Sequence, residues 1–282
     1  MKNTQDVMSR HQGRTAGIVK VFLWIYSSIT FLLLLYMIYQ SLRPRQDILS
    51  NTFGKPKSLS LDNYIKLITK DHFFRYFGNS VMILVVSLAL LVFISSITAY
   101  GIARYQFKGR KFFRIYFLIG LMFPIQLGIV PVFQIMKQLN LINNPLAVIL
   151  VSAANISMPV FMLTDFFAKL PKEIYEAAVI DGAGEWLAFR KIMFPMASPI
   201  VFSVCITVSV QIWNQFFLPL IFLQKDATKT LPLLVVKYTG KLINTMDLAM
   251  AVSTLSTIPI LILFIIFSQK ILDGVTSGGV KG

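Results

Sequence analysis

Long stretches of this chain carry no charged side chain: residues 81–103 form one and residues 192–224 another. A soluble domain spreads charge over its surface, about a quarter of its residues. Here charged residues make up 14% against 56% hydrophobic, and the mean hydropathy is +0.69. Lipid is the solvent that fits such a chain. Six segments reach the ~20 apolar residues that a helix needs to cross ~30 Å of hydrocarbon. They are residues 21–39, 81–103, 115–133, 146–164, a fifth within 192–224, and 248–269. The pattern predicts an all-α integral membrane protein of six spans, with a tail at 1–20, a transmembrane region at 21–272 and a second tail at 273–282.

The first span has the basic flank of a secretion signal, Arg10, Arg14 and Lys20. Its apolar run is too long for one and no A-x-A site follows, so it reads as a retained anchor. The net charge of +15 would point to nucleic acid in a soluble protein. The basic residues instead sit in short segments between spans, where they suit anionic lipid headgroups and the setting of topology. Nucleic acid is therefore not an expected partner. The clearest topological signal is the second-to-third connection, where Arg104, Lys108, Arg110, Lys111 and Arg114 crowd together. It places both termini in the cytoplasm, although the basic first loop, 40–77, dilutes the bias.

No energy source is encoded. Gly54-Lys55 is followed by Pro56 and Gly240-Lys241 by Leu242, so neither forms a phosphate-binding loop. The only histidines, His11 and His72, make no metal-ligand cluster. Proton- and voltage-driven machines place ionisable groups at mid-membrane. Here acids are nearly absent from the spans, and the one candidate is Asp165, at the inner end of the fourth. Any energy for transport has to arrive through another polypeptide.

Between the fourth and fifth spans lies the insert 170–195. Pro171 suits the first turn of a helix, and Glu173 and Glu176 complement its dipole. Gly182 supplies a positive φ to end that helix. A second short helix can run over 183–191 before Pro195 resets the chain into the fifth span. Ala177 and Ala178 leave a low-relief face that another protein can approach closely. Physics alone is satisfied by an ordinary amphipathic loop helix, but the spacing is more specific. Glu176-Ala177-Ala178, three residues, Gly182, nine residues, then Ile192-x-Phe194-Pro195 is similar to the EAA signature of prokaryotic ABC-importer permeases, E-A-A-x3-G-x9-I-x-L-P. Phe194 is the one departure and keeps an apolar anchor.

The likeness extends over most of the chain, which resembles the six-span MalG-like permeases of maltose-type carbohydrate importers. Asp62-Asn63-Tyr64, Asn79-Ser80, the run from Tyr100 to Arg110, Trp213-Asn214-Gln215-Phe216 and the tail Gly278-Gly279-Val280-Lys281-Gly282 match recurring family positions. The family often has an acid where Gln215 stands. The resemblance implies N-in topology, a second related permease as heterodimeric partner, two ATPase subunits carrying ATP and magnesium, and an external solute-binding protein. No cofactor is implied on this chain, which would not itself be an enzyme. Glu176, Ala177, Ala178, Asp181, Gly182, Ile192 and Pro195 would form the coupling element seated in an ATPase cleft. Gly278, Gly279 and Lys281 would reach the ATPase from an otherwise flexible tail, and the loop 223–247 would probe the docked binding protein. The same likeness fits a glycerol-phosphate or polyol importer. A self-sufficient secondary transporter would need a repeated half-architecture that the sequence does not offer.

For the pathway, Gln126, Asn155, Gln211, Asn214 and Gln215 are amides within spans, where an unpaired amide is costly. Interhelical hydrogen bonding explains such groups as readily as solute contact does. Gln211 and Gln215 are one turn apart, with Trp213 and Asn214 beside them, and amides next to aromatics suit sugar hydroxyls and ring faces. These, with Asn155, are the candidate pathway residues. Pro124, Pro131, Pro159 and Pro259 are expected to kink their helices.

Overall fold

The structure is a computed structural model that describes residues 2–240 and 242–279, with side chains described for 17, 19–240 and 245–267. Among the described residues all regular structure is helical. Helix α1 (Lys2–Ser41) is followed by the short helices α2 (Arg45–Ser50) and α3 (Asp62–Thr69). The long helix α4 (Phe73–Arg104) leads to α5 (Arg110–Gly120), a 3-10 turn (Ile125–Gly128) and α6 (Ile129–Gln138). Next come α7 (Pro145–Ala153), α8 (Ser157–Lys169), α9 (Lys172–Ile180) and α10 (Glu185–Ala188). A π-helical stretch (Phe189–Met193) and α11 (Phe194–Met196) reach α12 (Ser198–Trp213). Helices α13 (Phe217–Phe222), α14 (Leu231–Thr239) and α15 (Leu242–Gly279) complete the chain.

Four helical segments are long and apolar enough to cross a bilayer: Val19–Ser41, Phe73–Arg104, Pro145–Lys169 and Thr245–Phe267. The expected third and fifth spans are not single helices. Each is a bent pair, α5 with the helix at Ile125–Gln138 (95°) and Glu185–Met196 with α12 (74°), which brings the total to six if each pair crosses once. The first break follows from Pro124, which has no N–H and holds an extended backbone at ψ 135. The other prolines act differently from the kinks expected of them. Pro131 and Pro159 are each the third residue of their helices, α6 and α8, where an N–H has no intrahelical partner to lose. Pro259 lies inside α15, whose non-helical residue is instead Thr245. The tails also differ: α1 begins at Lys2 and α15 continues to Gly279, so Gly278 and Gly279 are helical, while Lys281 lies outside the described residues.

The chain divides into two compact units. The larger, 72–236 with 256–282, is built around α4. Its buried residues, among them Ser80, Ser87, Leu91, Ser95 and Ala99, recur every three or four positions along one stripe. Small side chains there allow close backbone approach, the usual way that helices pack when lipid is as apolar as they are. Near the C-terminal end of α4, Ala99, Tyr100 and Ile102 cluster with Leu163 and Phe167 of α8, Phe189 and Met193 of the insert, and Val204 of α12. Nearer its N-terminal end, Ile83 joins Ala147, Val148, Leu218 and Phe222.

The smaller unit, 1–71 with 237–255, folds around one arginine. Arg43 is fully buried (0%), and all five of its N–H groups find an acceptor. Nε donates to Asp47 Oδ2 at 2.8 Å, Nη1 to Gln40 Oε1 and Thr52 O, and Nη2 to the carbonyls of Asp47 and Asn51. Two residues of the recurring triplet join this knot. Asn63 Nδ2 donates to Ser41 O and Arg43 O, and the Tyr64 hydroxyl pairs with Ser41 Oγ at 2.5 Å. A buried ion pair that loses one partner leaves an uncompensated charge. Arg43→Met is therefore expected to lower hydrogen-exchange protection over residues 44–61 at least about ten-fold. The Arg43 hydrogen bond holds the Asp47 carboxyl below its ordinary value of 3.8. A depressed carboxyl stabilises above that ordinary value and the contribution is lost as pH falls through the folded one. Protection, corrected for intrinsic exchange, is thus expected to be equal at pH 7 and 5 and to decline only below 3.8.

Candidate functional site

The insert forms from its own local signals. Pro171 caps α9 from outside with an extended backbone, and Glu173 lies in the first turn. At the other end Gly182 has φ +84; its N–H donates to Val179 O, and that of Ala183 to Ala178 O. This is a Schellman turn, which needs a residue free to take positive φ. The second arm does not turn where the sequence places the turn. Pro195 stays within helix, following a π-turn in which the Phe194 N–H reaches Phe189 O. The bend comes at Ala197 (ψ 3), just before Pro199, which has no N–H to offer the carbonyl of Pro195.

The small-residue face splits in two. Ala178 is buried, 5% exposed, and is the one buried residue of α9, whereas Glu176 and Ala177 are open. Ala178 therefore belongs to the inward side of the helix, not to the approach face expected of both alanines. Asp181 and Gly182 are exposed at the turn, Pro195 is exposed, and Ile192 packs against the cluster at the C-terminal end of α4. Ile180 stands 84% exposed on the open side.

The candidate pathway amides also separate. Asn214 Nδ2 donates to Val210 O at 3.0 Å, and Gln215 Oε1 accepts from the Phe217 N–H at 3.1 Å, so both serve the backbone around the end of α12. Trp213 is buried, its Nε1 donates to Ser256 O at 3.1 Å, and its ring meets Phe77 edge-on. Gln126 is exposed on the 3-10 turn. Asn155 and Gln211 are different: both line a cavity of about 720 Å³ together with Gly120, Pro124, Ala154 and Pro159. A smaller pocket of about 50 Å³ brings in Gln215 beside the same two amides. Leu121, Phe123 and Pro124, between α5 and the 3-10 turn, and Ala154 and Asn155, between α7 and α8, lie at helix breaks and line this one cavity. At Gly120 the approach is close, since a Cβ there would lie 2.4 Å from Ser157 Oγ.

At the N-terminal end of α4 the recurring Asn79-Ser80 pair has a definite task. Asn79 Nδ2 donates to Ala227 O and Lys229 O, and Ser80 Oγ accepts from the Leu231 N–H. Asn143, at φ 64, accepts from the N–H groups of Gln224 and Lys225. The start of the segment 223–247 is thus tied down and carries the helix α14. Sequence reasoning assigned no role to a polar cluster on the insert, in which Glu185 accepts from the hydroxyls of Tyr105 and Tyr175. Burial and the hydrogen bond to Glu185 push the Tyr105 phenol up; for Tyr175 the hydrogen bond comes first and burial second.

A family model described as a binding-protein-dependent transport system inner membrane component matches residues 91–278. The chain belongs to this family. The match covers the insert and every residue lining the 720 Å³ cavity, and begins partway along α4. Members are non-enzymatic membrane subunits that work with a partner permease, an ATPase and a binding protein. The chain is 38% identical over 253 residues to the arabinooligosaccharides transport system permease protein AraQ of Halalkalibacterium halodurans, covering 88% of this chain and 90% of that one. It is 34% identical to the diacetylchitobiose uptake system permease protein NgcG of Streptomyces coelicolor, covering 94% and 89%. It is 32% identical to the multiple sugar-binding transport system permease protein MsmG of Streptococcus mutans, covering 93% and 95%. The fold is that of a chain from a bacterial ABC transporter that imports the acidic polysaccharide alginate, with TM-score 0.76 over 91% of this chain and 96% of that one at 20% identity.

The split of the two alanines has a direct consequence for this permease. Ala178→Leu overfills a packed position, at a cost of about 1–3 kcal/mol, and is expected to raise tryptic cleavage within the insert, whereas Ala177→Leu leaves the digest unchanged.

Proposed function

We propose that this chain is a transmembrane permease subunit of an ATP-driven importer for carbohydrate, an oligosaccharide in particular, in the bacterial plasma membrane. It supplies half of the translocation pathway, with a second related permease as the other half. Two ATPase subunits, holding ATP and magnesium, sit on the cytoplasmic side, and a solute-binding protein docks from outside. Both termini are cytoplasmic. The relatives named for arabinooligosaccharides, diacetylchitobiose and multiple sugars support the substrate class.

The observation that carries the reading is the open side of α9. Glu176, Ala177 and the 84%-exposed Ile180 stand on a helix that buries one alanine. An exposed apolar side chain beside a low-relief alanine and a carboxylate suits the cleft of another protein better than water. When ATP closes the ATPase pair, the cleft carries α9 with it, and packed helices rock between inward- and outward-facing arrangements. Glu176, Ala177, Asp181 and Gly182 contact the ATPase, Ile192 and Pro195 link the insert to α12, and Gly278, Gly279 and Lys281 add contacts from the tail. Helix breaks in a bilayer are tolerated where they line a water-filled cavity, so the cavity bearing Asn155 and Gln211 is the favoured solute path. Trp213, Asn214 and Gln215 shape its wall by holding the end of α12.

Reconstituted with its partners and offered radiolabelled arabino-oligosaccharides and diacetylchitobiose as probes, the complex is expected to take up at least one of them only with ATP. Ala177→Glu abolishes this uptake without lowering the amount of chain in the membrane. Asn155→Ala with Gln211→Ala raises the half-saturating solute concentration about ten-fold, since each neutral hydrogen bond contributes about 0.5–1.5 kcal/mol. ATP-independent uptake, or full uptake in Ala177→Glu, contradicts the reading.

A further inference from the structure

A docking helix passes on a movement only if it is fastened to what should move, and α9 offers little for packing beyond Ala178 and the half-buried Tyr175 ring, which lies against the cluster at the C-terminal end of α4. Its single buried side chain is a methyl group, that of Ala178. The turns on either side, at 170–171 and 181–184, are loops. The directional contacts that orient α9 against the transmembrane helices are polar. Glu185, the first residue of α10, presents its two carboxylate oxygens to phenols from two other elements. Tyr105, the residue capping the C-terminus of α4, donates to Oε2 at 2.5 Å across 80 residues of chain. Tyr175, on α9, donates to Oε1. The Arg104 guanidinium lies over the Tyr175 ring, 3.4 Å from its centroid, and Arg110 closes the end of α4 by donating to the carbonyls of Ile102 and Ala103.

Hydrogen bonds to an ionised carboxylate are short and about twice as strong as neutral ones, and a guanidinium stacked on a phenol adds attraction of its own. Two such bonds diverging from one carboxylate fix both phenols relative to each other. Beneath them the Tyr100 ring lies 5.7 Å from Phe167 and 5.1 Å from Phe189, so the α4 side of the cluster is anchored in the core.

We infer that Glu185, Tyr105 and Tyr175 form a clamp that makes α9 and the adjoining end of α4 a single moving body, with Glu185 the positioning residue. The inference rests on the coupling role proposed above. A push on α9 then turns α4 and the helices packed along it. Without the clamp the same push is absorbed by the turns at Leu170–Pro171 and Asp181–Gly184.

The test uses the assembled importer in proteoliposomes, with Cys205→Ser and spin labels at Ile180→Cys on α9 and Ile97→Cys on the exposed side of α4. The inter-label distance is expected to show one narrow distribution, unchanged between the nucleotide-free and ATP-bound, hydrolysis-blocked complexes. Glu185→Ala, or Tyr105→Phe with Tyr175→Phe, loses the single narrow distribution, and Glu185→Gln, which keeps a carbonyl acceptor, recovers much of it. A distance that shifts with ATP in the unaltered chain overturns the inference, as does an unchanged distribution in Glu185→Ala. Failure of the coupling role shows separately, because the Ile180 label then stays as mobile with the ATPase bound as without it.

Discussion

Hydrocarbon offers no hydrogen bonds, so every backbone N–H and C=O that this chain takes into the bilayer has to be satisfied within the protein. That constraint accounts for an all-helical architecture and makes each departure from helix informative. The breaks after α5 and after α7 both contribute lining to one cavity of about 720 Å³. Among the described residues, the Asn155 and Gln211 amides on this cavity make no hydrogen bond to the backbone around them. By contrast, Asn214 and Gln215 are occupied where α12 ends. Irregular backbone and these amides thus coincide in space.

The same economy governs the attachment of the insert. Its second arm, Phe189–Met193, is welded into the α4–α8–α12 cluster by aromatic and aliphatic burial. Its first arm, α9, buries only Ala178 fully and rests the Tyr175 ring on that cluster, and is oriented by a carboxylate and two phenols. Apolar burial is non-directional, whereas charge-assisted hydrogen bonds fix orientation. A helix that must present its outer face to a partner while keeping its angle to a span is served by the second kind of contact. The Arg43 knot in the smaller unit uses the same chemistry, one charged group satisfied from several directions to hold a short irregular segment.

Much of the fold was legible because hydropathy reports solvent directly: four of the uncharged runs locate the helices long enough to span, while those at 115–133 and 192–224 are broken by bends. Local turn chemistry was legible too, since Gly182 announces the end of α9 by the φ it permits. What the sequence could not supply depends on long-range packing. Pro195 reads as a helix end, yet a π-turn accommodates it and the bend falls at Ala197. Ala177 and Ala178 are chemically identical in the sequence, and only the roll of α9 distinguishes the buried one. Trp213 next to amides reads as a sugar platform, but its indole N–H is used by Ser256 O. The partners of Glu185 are also distant in the chain. A tyrosine ten residues earlier across a helical hairpin is the one signal that could have pointed to half of the cluster.

The proposed drive through α9, by an ATPase on the cytoplasmic side, puts Ile180 inside the cell and under that partner. The most direct measurement is labelling of Ile180→Cys, in a Cys205→Ser background, with a membrane-impermeant thiol reagent. No labelling is expected in intact cells, with labelling in inside-out vesicles stripped of the ATPase and protection when the ATPase is added back. Labelling from the outside of intact cells, or no protection by the ATPase, would contradict it.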